Sequence, residues 1–209
     1  MWLLYGFKNK NGEGSLSTSQ MVNPIKAKEF PSFLSDEETS IILEFAKNTD
    51  LWGHLSNDFW SGRVIQASSI NQINKELGKT LQQIKDRALK SIKEHYKIDD
   101  QIYSDIFVLT RWLPGMSQSP HSDDMENTPD ALNFSHRKYG AIVYLNNDFD
   151  GGQTFYPQHN IYINPEPGKM VVHPADTDHM HGVTAIGEGI RFTLASFITL
   201  DPTKKMQEY

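Results

Sequence analysis

The stretch Ile102-Tyr103-Ser104-Asp105-Ile106-Phe107-Val108-Leu109-Thr110-Arg111-Trp112 is rich in β-branched and aromatic residues, and Leu113-Pro114-Gly115 follows it. Such side chains suit a pleated, half-buried surface, and a Pro-Gly pair ends a strand in a turn. The same texture recurs downstream over residues 139–145, 153–156, 160–163, 169–173 and 191–200, each run bounded by Gly, Pro, Asn or Asp. Upstream the pattern is different. Ser35 stands three residues before Glu38, the spacing of a capping box, so a helix is expected next with Ile41, Ile42, Phe45 and Ala46 on its buried stripe. Over residues 70–96 the side chains Ile70, Ile73, Leu77, Leu81, Ile84, Ala88, Ile92 and Tyr96 recur at steps of three or four, which predicts one long amphipathic helix. Helices first and strands afterwards make an α+β chain, mainly β, whose N-terminal helices buttress an antiparallel sandwich.

A chain of 209 residues suits one sizeable core. Residues 1–20 include a Gly-, Ser-, Asn- and Lys-rich segment with little to bury and are expected to form a flexible lead-in, leaving one domain over 21–209. With 20 basic and 26 acidic residues the formal charge is -6, and no long basic run is present, which argues against a nucleic-acid partner. The absence of cysteine excludes disulfides, thiolate metal sites and cysteine nucleophiles, so any metal must be held by imidazole and carboxylate. The apolar opening of residues 1–7 lacks the basic leader and length of a signal peptide, and no segment has the length of a membrane span. The expectation is a cytoplasmic protein without a membrane partner.

In Ser119-Pro120-His121-Ser122-Asp123 the imidazole and carboxylate are two residues apart, and in extended chain such residues project from one face. By itself the pair reads more readily as a loop histidine beside an Asx turn. A third ligand from a distant strand gives it meaning, because two imidazoles and one carboxylate on one face of an iron leave the remaining positions free. The segment Asp178-His179-Met180-His181-Gly182-Val183 offers His179 and His181, and their spacing does not choose between them; His159 and His173 have no similar claim. Arg191 opens an apolar run ten residues after His181. A turn through Gly187 and Gly189 would bring it beside that histidine, where its planar fork suits a carboxylate.

These residues resemble the iron(II)- and 2-oxoglutarate-dependent oxygenases, in the prolyl 4-hydroxylase-like branch. The resemblance rests on ordered elements over roughly residues 21–200: the Phe33 to Glu38 helix entry, Gly115 six residues before His121, His121-x-Asp123, Tyr144-Leu145-Asn146, Asp150-Gly151-Gly152-Gln153-Thr154-Phe155, Pro167-x-Lys169-Met170-Val171-Val172, and His181-Gly182-Val183 through to Arg191. It implies a double-stranded β-helix (jelly roll), with His121, Asp123 and His181 as iron ligands. Arg191 would pair with the distal carboxylate of 2-oxoglutarate, with Tyr144 and Thr193 as further hydrogen-bonding partners. Trp112 stands where many prolyl hydroxylases carry a tyrosine, and an indole only donates, so the cosubstrate pocket is expected to be reshaped there.

The implied reaction uses Fe(II), 2-oxoglutarate and O2, with ascorbate as a possible reductant. It gives succinate and carbon dioxide and hydroxylates an unactivated C–H bond, by the resemblance that of a peptidyl proline or another protein residue. The same framework also suits a free amino acid or small molecule, and fold alone does not choose. A metal-retaining jelly-roll binding protein and a cupin-like enzyme with another cosubstrate explain the ligands too, but leave Arg191 without a task. Gly151 and Gly152 are read as a tight turn with no chemical role, and residues 125–139 as a lid or a plain surface connection.

Overall fold

A computed structural model describes residues 24–56, 58–125 and 134–207. The lead-in expected over residues 1–20 lies outside them, as does most of the 125–139 segment read as a lid or a plain surface connection. The capping box forms as written: the Ser35 hydroxyl accepts from the Glu38 backbone N–H while the Glu38 carboxylate accepts from that of Ser35, and helix α1 (Asp36–Asn48) follows. Its buried stripe is Thr39, Ile42 and Ala46, with Phe45 partly buried, whereas Ile41 is 45% exposed and is not part of it. The expected long helix is two, α2 (Ala67–Ile73) and α3 (Lys75–Tyr96), because Asn74 leaves helical geometry and its side chain accepts from the Leu77 N–H as the cap of α3. The break turns Ile73 outward at 62% exposure, while Ile70, Leu77, Leu81, Ile84, Ala88 and Ile92 are buried as the period requires.

The strands are β1 (Lys28–Phe30), β2 (Val64–Gln66), β3 (Tyr103–Trp112), β4 (Gln118–His121), β5 (Arg137–Tyr144), β6 (Thr154–Tyr156), β7 (Ile161–Ile163), β8 (Met170–Pro174), β9 (His181–Val183) and β10 (Arg191–Thr199). They form two antiparallel sheets, a six-stranded one in the order β1-β8-β5-β10-β3-β2 and a four-stranded one in the order β4-β9-β6-β7. This is the expected mainly β sandwich, two antiparallel sheets facing each other with the helices against one of them. Alternation along each strand divides labour between the faces of the large sheet. Phe192, Leu194 and Ile198 of β10 join Phe107 and Leu109 of β3 and Met170 and Val172 of β8 in the core beneath the helices. Arg191, Thr193, Ala195 and Phe197 face the other way, into a cavity between the sheets. Among the described residues no helix is long and apolar enough to cross a membrane.

Candidate active site

The register of two strand pairs assembles the centre. His121 at the end of β4 is directly opposite His181 at the start of β9, so the two imidazoles lie side by side with ring centroids 4.6 Å apart. Asp123, two residues past His121, turns inward and is 5% exposed. Its Oδ1 lies 3.6 Å from His121 Nε2 and 3.7 Å from His181 Nε2. One ligand atom from each of the three lies within 4.8 Å of the others, the only such cluster of three or more metal-type side chains among the described residues.

Neighbouring carbonyls prepare both rings. His121 Nδ1 is 3.1 Å from the Ser119 carbonyl oxygen and His181 Nδ1 is 3.2 Å from that of His179. A carbonyl only accepts, so each Nδ1 carries the hydrogen and each Nε2 turns a lone pair to the centre, the form in which imidazole binds metal. The Gln118 side-chain amide, 3.2 Å away, donates to His121 Nε2. The charges agree with this arrangement. Burial alone would raise the Asp123 carboxyl, but the surrounding imidazoles of His181, His121 and His173 hold it well below the usual carboxylate range. Burial, reinforced by the neighbouring imidazoles of His173 and His121, pushes His181 down to about 3. At the rim, His121 moves the other way: burial lowers it, but the adjacent Asp123 carboxylate outweighs that and raises it. The two rings differ because His181 is enclosed while the His121 side chain keeps 21% of its surface in solvent.

At the deeper end of the cavity Arg191 is 1% exposed. Gly189, at φ 80°, turns the chain into β10. Gly152 leaves the space that Arg191 occupies, since a Cβ there would come within 3.0 Å of the arginine Cδ and closer to Phe149 and Ile186; the double glycine thus clears room as well as turning the chain. The guanidinium lies 5.5 Å from the Trp112 ring centroid and 5.3 Å from that of Tyr144, and it donates a long 3.4 Å hydrogen bond to Thr154 Oγ1. Its Nε has no partner, no carboxylate lies within 4.0 Å among the described residues, and burial lowers its pKa. A buried cation with no anion is costly, and it marks a place for one.

Other expected residues are close by in different settings. Thr193 is paired with Thr110 across β10 and β3, their hydroxyls 2.6 Å apart, and both line the cavity with Trp112. Tyr144 is fully buried, donates to Thr154 Oγ1 at 2.6 Å and lies against the Arg191 guanidinium, so it braces that arginine directly and through the threonine, and it does not itself line the cavity. His179 is buried away from the centre, accepting from the Lys26 backbone N–H and bonded to Asp176, which leaves His181 as the histidine of the cluster. From the centre a groove of about 360 Å3 runs outward past Trp60, Met125, Phe134 and Phe197 to Arg137, whose guanidinium is sandwiched between the Phe134 and Phe197 rings at 3.8 and 3.9 Å. One residue credited with no role is beside the cluster: His173 Nε2 is 3.0 Å from Asp123 Oδ2. The available signal was its place on β8, sharing the inward face with Val171 in an otherwise apolar run.

The chain is similar to known proteins in sequence and in fold. Residues 107–199 match the model of the 2OG-Fe(II) oxygenase superfamily, the family to which the residue pattern pointed. Prolyl 3-hydroxylase 2 of Mus musculus is 33% identical over 88 residues, which cover 40% of this chain and 12% of the relative. The chain thus spans only a small part of the length of the curated relatives it matches. Among solved structures, a viral collagen prolyl hydroxylase from Paramecium bursaria Chlorella virus-1, in complex with 2OG, superposes with a TM-score of 0.61 at 15% identity, covering 86% of this chain and 98% of that one. A prolyl hydroxylase from Trichoplax adhaerens, in complex with a hypoxia inducible factor peptide fragment, gives 0.61 at 12% identity over 88% and 87% of the two chains. At these identities the likeness is one of fold.

Proposed function

We propose that this chain, whose residues 107–199 match the model of the 2OG-Fe(II) oxygenase superfamily, is a 2-oxoglutarate-dependent dioxygenase that hydroxylates a peptidyl proline. The observation that carries the reading is the opening of one cavity at one end onto a buried, anion-free guanidinium and at the other onto two imidazoles and a carboxylate within ligand reach of each other. That donor set fits Fe(II): three protein ligands of imidazole and carboxylate type, with the two Nε2 lone pairs turned inward. In this reading His121, Asp123 and His181 hold the iron.

The metal, once bound, supplies the oxygen chemistry, in which 2-oxoglutarate is decarboxylated and a C–H bond is hydroxylated. The protein contributes binding, orientation and dryness. Arg191 takes the distal carboxylate of 2-oxoglutarate, and its lack of any other anion makes that pairing strong. Thr154, held by the Tyr144 hydroxyl, keeps the guanidinium in place, and the linked Thr110 and Thr193 hydroxyls present polar atoms along the cosubstrate's path. Trp112 covers the Arg191 guanidinium with a ring, a different wall from the phenol common in the family. The outer groove, lined by apolar and aromatic side chains, receives the substrate. A proline ring suits such a wall, and prolyl hydroxylases recur among the relatives and neighbours.

The proposal includes one oxygenase domain over residues 21–209 and a cytoplasmic location, which cell fractionation tests. Its direct test is succinate release from 2-oxoglutarate with iron and ascorbate, with and without proline-containing peptides or free proline. His121→Ala is expected to lose both tight iron binding and turnover, and unchanged turnover rejects the ligand assignment. A mass gain of one oxygen on a peptide supports the substrate class, and amino-acid analysis separates 3- from 4-hydroxyproline. A gain on free proline alone replaces the peptidyl substrate with a small molecule.

A further inference from the structure

The geometry points to His173 as the positioning residue that holds the Asp123 carboxylate in a one-oxygen orientation, with Tyr156 fixing its tautomer and Gly140 providing the room. This rests on the reading of Asp123 as an iron ligand.

The two carboxylate oxygens are in different surroundings. Oδ1 faces both imidazoles of the cluster, at 3.6 and 3.7 Å, while Oδ2 faces away from them toward His173 Nε2 at 3.0 Å. A carboxylate oxygen accepts only, so Nε2 of His173 carries the hydrogen, and the neutral ring then has its lone pair on Nδ1. The Tyr156 hydroxyl, 2.8 Å from Nδ1, donates there and makes the other tautomer unfavourable. The hydrogen bonds run in one direction, from Tyr156 through His173 to Asp123, and leave Oδ1 free to bind. Tyr156 is 0% exposed and His173 1%, so water does not compete for either contact. Each member is fixed from a different element: Tyr156 on β6 of the small sheet, His173 on β8 of the large one, and Asp123 just past β4.

Gly140 makes the contact sterically possible. It is the direct cross-strand partner of His173 in the β5–β8 pair. A Cβ at this position would overlap Asp123 Oδ2 and lie within 2.7 Å of His173 Nε2. A glycine within a strand weakens it, and here the missing side chain is the space in which carboxylate and imidazole meet. His173 therefore does more than fill the core: it prevents Asp123 from rotating or offering both oxygens to the ion. Partners of this kind change metal affinity about 10- to 100-fold when removed.

The test is titration of the metal-free full chain with Mn2+, reading free ion by electron paramagnetic resonance, with thermal unfolding of each metal-free variant as the control for folding. His173→Leu is expected to weaken Mn2+ binding by about tenfold or more, and His173→Gln, which retains an N–H donor, to recover most of the loss. Tyr156→Phe, which removes one oxygen atom, should lie between the native chain and His173→Leu. Native affinity in His173→Leu overturns the inference, and so does equal weakening in the leucine and glutamine variants, which would mark a mere packing role. If His173→Leu does not fold, Tyr156→Phe decides, and native affinity there overturns the relay. Failure of the native chain to bind Mn2+ removes the metal centre itself, a different outcome from binding that ignores His173.

Discussion

Replacing Arg191 by methionine should stabilise the ligand-free protein and abolish its stabilisation by 2-oxoglutarate. The guanidinium is 1% exposed, its Nε has no partner, its contact to Thr154 is 3.4 Å long, and burial lowers its pKa. A second guanidinium is near: Arg63 also packs on Trp112, 4.1 Å from its ring centroid, and burial together with the charge of Arg191 lowers it to about 10. An unsatisfied buried polar group costs roughly 1–3 kcal/mol, and replacement by an apolar side chain of similar volume removes that cost. The ligand-free Arg191→Met protein should therefore be more stable than the native one by about 1–3 kcal/mol. At about 2–4 °C per kcal/mol for a chain of this size, the gain is readily measured by scanning calorimetry. With Mn2+ and 2-oxoglutarate at a hundred times its Kd the native protein should gain about 2.7 kcal/mol, and the variant nothing. A ligand-free variant less stable than the native protein refutes the buried-charge argument. Equal stabilisation of both by 2-oxoglutarate refutes the assignment of Arg191 as its anchor.

Four further substitutions test the fold. Ile42→Ala should cost about 2–5 kcal/mol in denaturant unfolding because Ile42 is fully buried, whereas Ile41→Ala, at an exposed position, should stay within about 0.5 kcal/mol. Asn74→Ala removes the side-chain cap of α3 and should cost about 1 kcal/mol, read as a lower urea midpoint at unchanged slope. For Glu38, burial raises the carboxyl, but the Arg87 ion pair and the Ser35 hydrogen bonds outweigh it and lower the pKa below 4.5. A lowered folded-state pKa means stability that is present above the unfolded value and lost as pH falls through the folded one. The stability difference between native protein and Glu38→Gln should thus be present at neutral pH and disappear on acidification below the usual carboxylate range; a pH-independent difference would refute the pairing.

Local chemistry was written plainly in the chain. The Ser35–Glu38 box caps α1 because it needs nothing beyond four consecutive residues. The strand texture from residue 102 onward and the alternation in 191–197 gave the sandwich and placed Arg191 and Thr193 on one face, since the two-residue period is a property of the backbone. The order and spacing of His121, Asp123, His181 and Arg191 pointed to the family that matches residues 107–199. Two misreadings had local causes. The apolar period alone ran through Asn74 because a side-chain cap interrupts a helix without changing the pattern, and Ile41 was counted as buried because a stripe drawn from sequence is wider than the surface that covers it.

What required the tertiary structure was everything set by pairing between distant segments. His179 and His181 are indistinguishable by spacing, and only the family resemblance singled out His181. The physical reason lies in strand register, which places His181 opposite His121 and turns His179 to Lys26 and Asp176. The same holds for Gly140 opposite His173, for Gly152 against Arg191, and for Trp112 between two guanidiniums. A one-residue slip in any of these ladders would move the side chain to the opposite face, and short-range sequence carries no record of the register. The sequence determined which chemical groups the protein has and the faces on which its strands display them. Only the packing of the two sheets decided which of those groups meet.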